Sequence, residues 1–122
     1  MPSALLDTDT LSEVIKRRDA EVTRRAAEYL SANGQFTFSI ITRYEILRGL
    51  KAKGAESQAE LFERLCQKNI VLPLEDETVV RGAEIYGNLY LAGRLIGDAD
   101  ILIAATALVH GLALVTGNLS RW

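Results

Sequence analysis

The chain has 122 residues, of which 48% are hydrophobic, and it carries a formal net charge of −2. This length fits one domain and excludes two independent cores, and nine glycines with two prolines exclude extended disorder. The slight negative charge excludes a protein that grips nucleic acid through a basic surface alone. If the chain acts on a polyanion, we expect a divalent cation to offset an acidic site.

The N-terminal segment MPSALLDTDT has no basic stretch ahead of an apolar core, so it does not resemble a secretory signal. No apolar run approaches the length needed to cross a bilayer. Cys66 is the single cysteine, which excludes an internal disulfide. We therefore expect a cytoplasmic protein with no membrane partner.

Short apolar runs alternate with amphipathic stretches, which is typical of an α/β domain. Strands separated by helices need crossover connections, so the sheet is predicted to be mostly parallel. The predicted elements, in chain order, are a strand over 3–7, helices around 11–15 and 22–33, a strand over 36–41, a helix after 42, a helix over 56–68, a strand over 70–72, a helix over 76–92, a loop over 93–97, a helix over 99–110 and a buried strand over 112–116.

Local signals refine four of the helices. Asn33-Gly34 is typical of a left-handed helix end, and the Thr42-x-x-Glu45 spacing predicts a capping box at the start of the third helix. Helical spacing predicts the core-facing residues of the last two helices. They are Val79, Ala83, Tyr86 and Tyr90 in the first, and Ile101, Ala104, Ala105, Leu108 and Val109 in the second.

Acidic and polar residues fall where strands end or helices begin, and in a parallel sheet such positions collect at one edge, where ligands bind. Gathered carboxylates repel one another unless a cation binds or their pKa values rise. Mg²⁺ is held by one or two carboxylates and suits phosphodiester hydrolysis. The residues concerned are Asp7, Asp9, Ser39, Glu45, Asp98, Asp100, Thr116 and Asn118.

Several of these residues also have a purely structural interpretation. Glu45 fits the capping box, Asp98 fits an N-cap, and Asp100 fits a first-turn carboxylate favoured by the helix dipole. Ser39 and Thr116 fit either satisfied core hydroxyls or donors that orient Asp7 or a water molecule. Asp7 is harder to explain structurally, since it directly follows a buried strand where an unpartnered charge is costly.

Four segments in order resemble PIN-domain nucleases, and among them the VapC-type toxins of prokaryotic toxin–antitoxin pairs: LLDTDTLSE, FSIITRYEILRG, IGDADILIAATAL and HGLALVTGNL. The resemblance covers residues 4–119. It implies one three-layer α/β domain over residues 1–122 and an endoribonuclease that depends on Mg²⁺ or Mn²⁺. It also implies a tRNA or mRNA substrate, a cognate antitoxin that inserts a segment near the active site, and a homodimer.

Carried over by position, the resemblance implies that Asp7, Glu45 and Asp100 are catalytic, with Asp7 and Asp100 holding the metal. It implies that Asp98 is an auxiliary carboxylate. It also implies that Asp9 does not bind the metal itself but supports the residues that do. The chain departs from the family pattern at two points. Asn118 replaces a fourth acidic residue, which disfavours a second metal. The chain also ends at Trp122, where family members usually continue, so we expect a shortened C-terminus.

Two other functions remain open on the sequence alone. The run Asp7-Thr8-Asp9-Thr10 also resembles the first motif of haloacid-dehalogenase-type phosphatases, with Asp7 as nucleophile and Asp9 as general acid. Gly97-Asp98 would then imitate a later acidic motif, which in that family follows a strand. Against it, that family needs a lysine shortly before this motif, and no lysine follows Lys68. The other alternative is a receiver-like domain or a catalytically weak PIN scaffold that only binds a partner.

Overall fold

The computed structural model describes residues 2–116, in which helices and strands alternate as the sequence predicts. The elements are β1 (Ala4–Leu6), α1 (Thr8–Lys16), α2 (Ala20–Asn33), β2 (Thr37–Ser39), α3 (Ile40–Ala52), α4 (Glu56–Lys68), β3 (Ile70–Leu72), α5 (Asp76–Leu91), α6 (Asp98–Val109) and β4 (Ala113–Val115).

The four strands form one parallel sheet in the order β3-β2-β1-β4. The chain passes from β1 outward through β2 to β3, and α5 and α6 then bring it to β4 on the other side of β1. The strand order therefore reverses beside β1. In open α/β sheets, the crevice beyond the carboxyl ends of the strands at such a reversal is where ligands bind.

Apolar side chains of β1 point alternately to two cores, which is the period-two pattern of a strand buried on both faces. Leu6 packs in a cluster with Phe38 of β2 and residues of α1, α2 and α4. Leu5 packs on the opposite face with Ile103 and Ala107 of α6. Helices therefore cover both faces of the sheet, and the predicted three-layer α/β fold is confirmed.

Helix α3 begins earlier than the sequence predicts. The strand expected over 36–41 ends at Ser39, and Ile40 already starts the helix. The Ser39 hydroxyl accepts a hydrogen bond from Ile41 N at 3.0 Å, so Ser39 is the N-cap. Thr42 is then inside the helix, and the predicted Thr42–Glu45 capping box is wrong. A serine ahead of two β-branched residues fits a strand end and a helix cap equally well in sequence.

The outer helices also differ from expectation. Tyr86 and Tyr90 were expected to pack inward, yet they are 43% and 62% exposed, and α5 faces the protein through Thr78 and Gly82 instead. A side chain at Gly82 would meet Leu102 Cδ2 at 3.2 Å, so glycine allows α5 and α6 to approach closely. The apolar stripe Val79–Tyr86–Tyr90 thus lies on the outside.

Helix α6 is buried on two sides, whereas the sequence analysis predicted a single apolar stripe facing the core. Ile103 and Ala107 face the sheet, while Ile101 and Ala105 lie against α5. Leu108, predicted to be in the core, is 55% exposed. The strand β4 was expected to be buried, but it lies at the edge of the sheet and only Val115 is fully buried. Among the described helices, none is both long enough and apolar enough to span a membrane.

Candidate functional site

The carboxyl ends of β1, β2 and β4 bring three of the predicted residues together. Leu6 pairs with Phe38 on one side and with Val115 on the other. The next residues along the chain are Asp7, Ser39 and Thr116. Asp7 and Thr116 directly follow β1 and β4, and Ser39 is the last residue of β2, so all three lie at neighbouring strand ends. The register places Asp7 at the crevice where the strand order reverses.

Asp7 is held there by its own backbone and side chain. Its N–H donates to Val115 O at 3.0 Å, which extends the β1–β4 pairing by one residue. Its Oδ1 accepts from Thr10 N at 2.9 Å and caps helix α1. The Thr10 hydroxyl, fully buried, donates to Val115 O at 3.3 Å. The Asp7 carboxylate is therefore oriented by the start of α1, while the Asp7 backbone continues the sheet.

Burial and two other carboxylates affect the ionisation of Asp7. Burial raises the pKa of Asp7 above its ordinary value, the hydrogen bonds from Thr10 lower it, and the negative charges of Asp9 and Asp100 raise it further. Burial and like charge both disfavour the ionised form of a carboxyl group. This corner of the protein is therefore one where a bound cation would relieve unfavourable interactions.

Glu45 reaches the same edge from α3. It lies in the second turn of the helix, not the first, and its Oε1 accepts a hydrogen bond from Thr8 Oγ1 at 2.6 Å. Thr8 directly follows Asp7 in the chain. The other carboxylate oxygen, Oε2, lies 3.6 Å from a guanidinium nitrogen of Arg48. Glu45 is thus tied to the segment that carries Asp7, which the capping interpretation did not predict.

Asp98 and Asp100 both lie in the first turn of α6, and both are exposed. The N-cap of this helix is Gly97, so the interpretation of Asp98 as an N-cap is wrong. The negative charge of Asp100 raises the pKa of Asp7. The auxiliary role expected of Asp98 stays a prediction.

The polar residues expected to support the site have different outcomes. Ser39 is 1% exposed, and its hydroxyl caps α3. Thr116 is half-buried beside Asp7 in register, and its role as a donor stays a prediction. Asn118 lies outside the described residues. The catalytic and metal-binding roles of the carboxylates likewise stay predictions.

A divalent cation fits the donor set, although the side chains do not form a closed cage. Within residues 2–116, no three His, Cys, Asp or Glu side chains are arranged as a ready metal site. Mg²⁺ does not need such a cage, since it usually keeps several waters and binds through one or two carboxylates. Asp7 and Asp100 supply oxygens of the right type, and burial together with neighbouring negative charge raises the pKa of Asp7.

The sequence interpretation missed Thr8 and Thr42. Their hydroxyl oxygens lie 3.0 Å apart, and Thr8 also binds Glu45. The sequence did contain one signal for this contact: a threonine lies shortly after β1 and another lies shortly after β2, and both strands end at the same edge of the sheet. Its meaning depends on a contact across 34 residues of chain, which spacing alone does not specify.

Known proteins resemble this chain in sequence and in fold. Residues 4–119 match the family model described as PIN domain. The chain is 31% identical to Ribonuclease VapC1 of Methanocaldococcus jannaschii over 93% of its own length and 74% of the relative. It is 33% identical to Ribonuclease VapC2 of Haemophilus influenzae over 97% and 88% of the two chains. The solved structure of DNA-bound VapBC from Salmonella typhimurium superposes with a TM-score of 0.82 at 28% identity, covering 98% and 89%.

A parallel three-layer fold with carboxylates at the reversal of strand order defines an α/β domain with an acidic edge. The family match extends over nearly the whole chain, well beyond the carboxylate segments alone. The chain belongs to the PIN-domain family.

We expect Asp7→Asn to stabilise the fold at neutral pH by roughly 0.2–1 kcal/mol, the scale of partly exposed charge interactions. Asparagine caps a helix about as well as aspartate does. Below the ordinary aspartate pKa of about 3.9, Asp7 is protonated in both states of the wild type and the difference should vanish. As pH rises, the unfolded chain ionises before the folded one, so the wild type loses stability.

Urea unfolding of both proteins at acidic and neutral pH, without divalent metal, measures this difference. If the two proteins are equally stable at both pH values, or if the variant is the less stable one at neutral pH, the charge of Asp7 is not unfavourable in the folded state. Addition of Mg²⁺ should stabilise the wild type more than the variant.

Proposed function

We propose that this chain is a metal-dependent endoribonuclease and the toxin of a type II toxin–antitoxin pair, acting in the cytoplasm. The observation that supports it most is the half-buried Asp7 carboxylate at the strand-order reversal, under the charges of Asp9 and Asp100. Relatives at 31% and 33% identity are named ribonucleases. Hydrolysis of RNA at a metal held by these carboxylates would account for both the acidic site and the activity for which the relatives are named.

In the proposed mechanism, Asp7 and Asp100 would hold Mg²⁺ or Mn²⁺, which supplies a polarised phosphate and an activated water when bound. Asp7 contributes an oxygen whose direction is fixed by the backbone contacts of β1 and α1. Glu45 would accept the proton of the attacking water through a carboxylate held by Thr8. Cleavage would leave a 5′-phosphate.

In this proposal, Arg48 and Tyr44 are the residues that contact the RNA substrate. Both side chains are largely exposed, and the Arg48 guanidinium lies 5.4 Å from the centre of the Tyr44 ring. Arg48 also lies beside Glu45. A guanidinium pairs with phosphate oxygens and an aromatic face stacks on an unpaired base. The pair therefore supports single-stranded RNA as the substrate class.

The phosphatase alternative has less support. Asp9, its general acid, is exposed on α1, and the Gly97–Asp98 segment joins two helices instead of following a strand. The chain also belongs to the PIN family. The alternative of a catalytically weak PIN scaffold differs from a nuclease only in activity, so only an assay separates them.

Incubation of the purified chain with total RNA and with a tRNA pool should give discrete cuts in Mg²⁺ and none in excess EDTA. Asp7→Asn and Asp100→Asn should each lower the cleavage rate by about 100-fold or more, since each removes a proposed metal ligand. Asp9→Ala should weaken cleavage by only about tenfold, the scale of supporting residues.

The matched control is Asp98→Asn, a first-turn carboxylate of the same helix as Asp100, which should stay within a few-fold of the wild type. Cleavage retained in Asp7→Asn, with EDTA-treated samples inactive, would refute the site. Loss of phosphatase activity in Asp9→Ala would instead favour the alternative.

For the antitoxin, the supporting feature is an apolar groove between α1, α2 and α4, of about 690 Å³. A neighbouring groove of about 600 Å³ between α1, α3 and α4 shares Ile15, Leu61 and Leu65 with it. The cations at their rims are Lys16, Arg17, Arg18, Lys53, Arg64 and Lys68, and no described carboxylate lines either groove.

This surface, which we call the α1–α4 groove, fits an amphipathic segment with an apolar face and acidic flanks. Helix-in-groove binding uses such apolar anchors, and opposite charge favours association. The Salmonella typhimurium structure is described as VapBC, a complex. We therefore propose that the cognate antitoxin occupies the α1–α4 groove.

Leu61→Glu should weaken antitoxin binding by at least about tenfold, since Leu61 is 61% exposed in the groove and a carboxylate there opposes an acidic partner. Titration calorimetry with the cognate antitoxin measures the affinity, and RNA cleavage without antitoxin should not change. Leu108→Glu, a similarly exposed leucine on the opposite layer, is the control. Equal loss in both variants would argue against the groove.

The predicted homodimer is supported by the outer face of α5. Tyr86 and Tyr90 stack on each other with ring centres 6.2 Å apart, and Val79 and Leu91 extend the apolar area. Large exposed apolar patches usually mark interaction sites. We propose that two copies of the chain pair through this face of α5.

Tyr86→Glu combined with Tyr90→Glu should convert a dimer to a monomer, because the pairing would place like charges in an apolar interface. Sedimentation velocity reports the mass directly. Leu61→Glu, on the other layer, should remain dimeric. A wild-type chain that sediments as a monomer at high concentration would refute this proposal.

A further inference from the structure

A chain of two hydroxyl groups connects the interior of the protein to Glu45. Thr42 is completely buried on α3, one helical turn before Glu45. Its Oγ1 lies 3.0 Å from Thr8 Oγ1, and Thr8 Oγ1 lies 2.6 Å from Glu45 Oε1. Thr8 itself is the first residue of α1, next to Asp7.

Hydrogen-bond chemistry fixes the direction of this chain. A threonine hydroxyl has one proton to donate and can accept through its oxygen. Thr8 donates its proton to Glu45, so Thr8 can only accept from Thr42, and Thr42 must be the donor of that bond. The order Thr42 to Thr8 to Glu45 is therefore determined, and it requires Glu45 Oε1 to act as an acceptor. Hydrogen bonds to ionised acceptors are the stronger kind.

We infer that Thr8, supported by Thr42, is a positioning residue that fixes Glu45 by its Oε1 oxygen and leaves Oε2 for the reaction. This inference rests on the proposed nuclease function, in which Glu45 accepts a proton from water. It adds a residue to that site which neither the carboxylate pattern nor the family resemblance assigned.

The consequence concerns the two oxygens of Glu45. With Oε1 bound to Thr8, rotation of the carboxylate is restricted, and Oε2 lies toward the exposed Arg48. Because Thr8 and Asp7 are adjacent in the chain, the same segment orients both carboxylates. Without the Thr8 hydroxyl, Glu45 could turn to pair with Arg48 through either oxygen and would lose its fixed direction.

The test compares Thr8→Val, which removes the hydroxyl but keeps the shape, with Thr8→Ser, which keeps the hydroxyl. Thr8→Val should lower kcat for RNA cleavage about 10- to 100-fold, the usual effect of losing a residue that orients a site from behind. KM should change by less than about twofold, since Thr8 does not contact substrate. Thr8→Ser should restore kcat to within about threefold of the wild type.

Thr78→Val is the matched control for removing a buried threonine hydroxyl. Thr78 is fully buried on α5, and its hydroxyl has no hydrogen-bond partner within residues 2–116. Its replacement should leave kcat unchanged. A loss of kcat in Thr8→Ser equal to that in Thr8→Val, or an unaffected Thr8→Val, would overturn the inference.

A second measurement separates this inference from the proposed function. Unfolding of Thr8→Val, Glu45→Ala and the double variant forms a cycle that measures the free energy of the Thr8–Glu45 hydrogen bond without any activity assay. The bond requires the two substitutions to be less than additive, and strict additivity would overturn the inference even in an active enzyme. If the wild-type chain cleaves no RNA in Mg²⁺ or Mn²⁺, the proposed function is overturned and the positioning role of Thr8 with it. If the wild type is active and Thr8→Val is equally active, only the inference about Thr8 is overturned.

Discussion

The burial of β1 is the constraint on which the site depends. All three of its residues are buried, and parallel neighbours lie on both of its edges. The chain cannot turn toward solvent before residue 7, so Asp7 leaves the sheet half-buried at the reversal of strand order. Desolvation and the charges of Asp9 and Asp100 then disfavour its ionised form. The strand that stabilises the core is thus also the reason that Asp7 is half-buried beside other negative charges.

The sequence could predict this part of the site because its signal is local. An apolar run followed at once by a carboxylate places Asp7 at a strand end, and parallel pairing then brings Ser39 and Thr116 beside it. The outer faces could not be predicted in the same way. Tyr86 and Tyr90 repeat at helical spacing, but spacing identifies a stripe without showing whether the protein or a partner covers it.

Glu45 shows the second limit of sequence reasoning. Its spacing from Thr42 fits both a helix cap and two successive turns of one helix, and these differ only in where the helix begins. Ser39 starts α3 earlier, which frees the Thr42 hydroxyl to bind Thr8. Thr8 and Glu45 are 37 residues apart in the chain. Only the packing of α1 against α3 decides between the two interpretations.

The three-layer fold places the proposed active site and the proposed partner-binding surfaces on different parts of the protein, and helix α1 connects the active site to one of these surfaces. The exposed apolar face of α5, proposed above as the dimer contact, and the α1–α4 groove lie on opposite sides of the sheet, and the carboxylates lie at its edge. Helix α1 joins two of these surfaces, since it starts next to Asp7 and lines the groove at Ile15. Eight residues of helix span about 12 Å. An antitoxin seated in the groove therefore needs only a short extension along α1 to reach the carboxylates, so binding and inhibition can use one continuous segment.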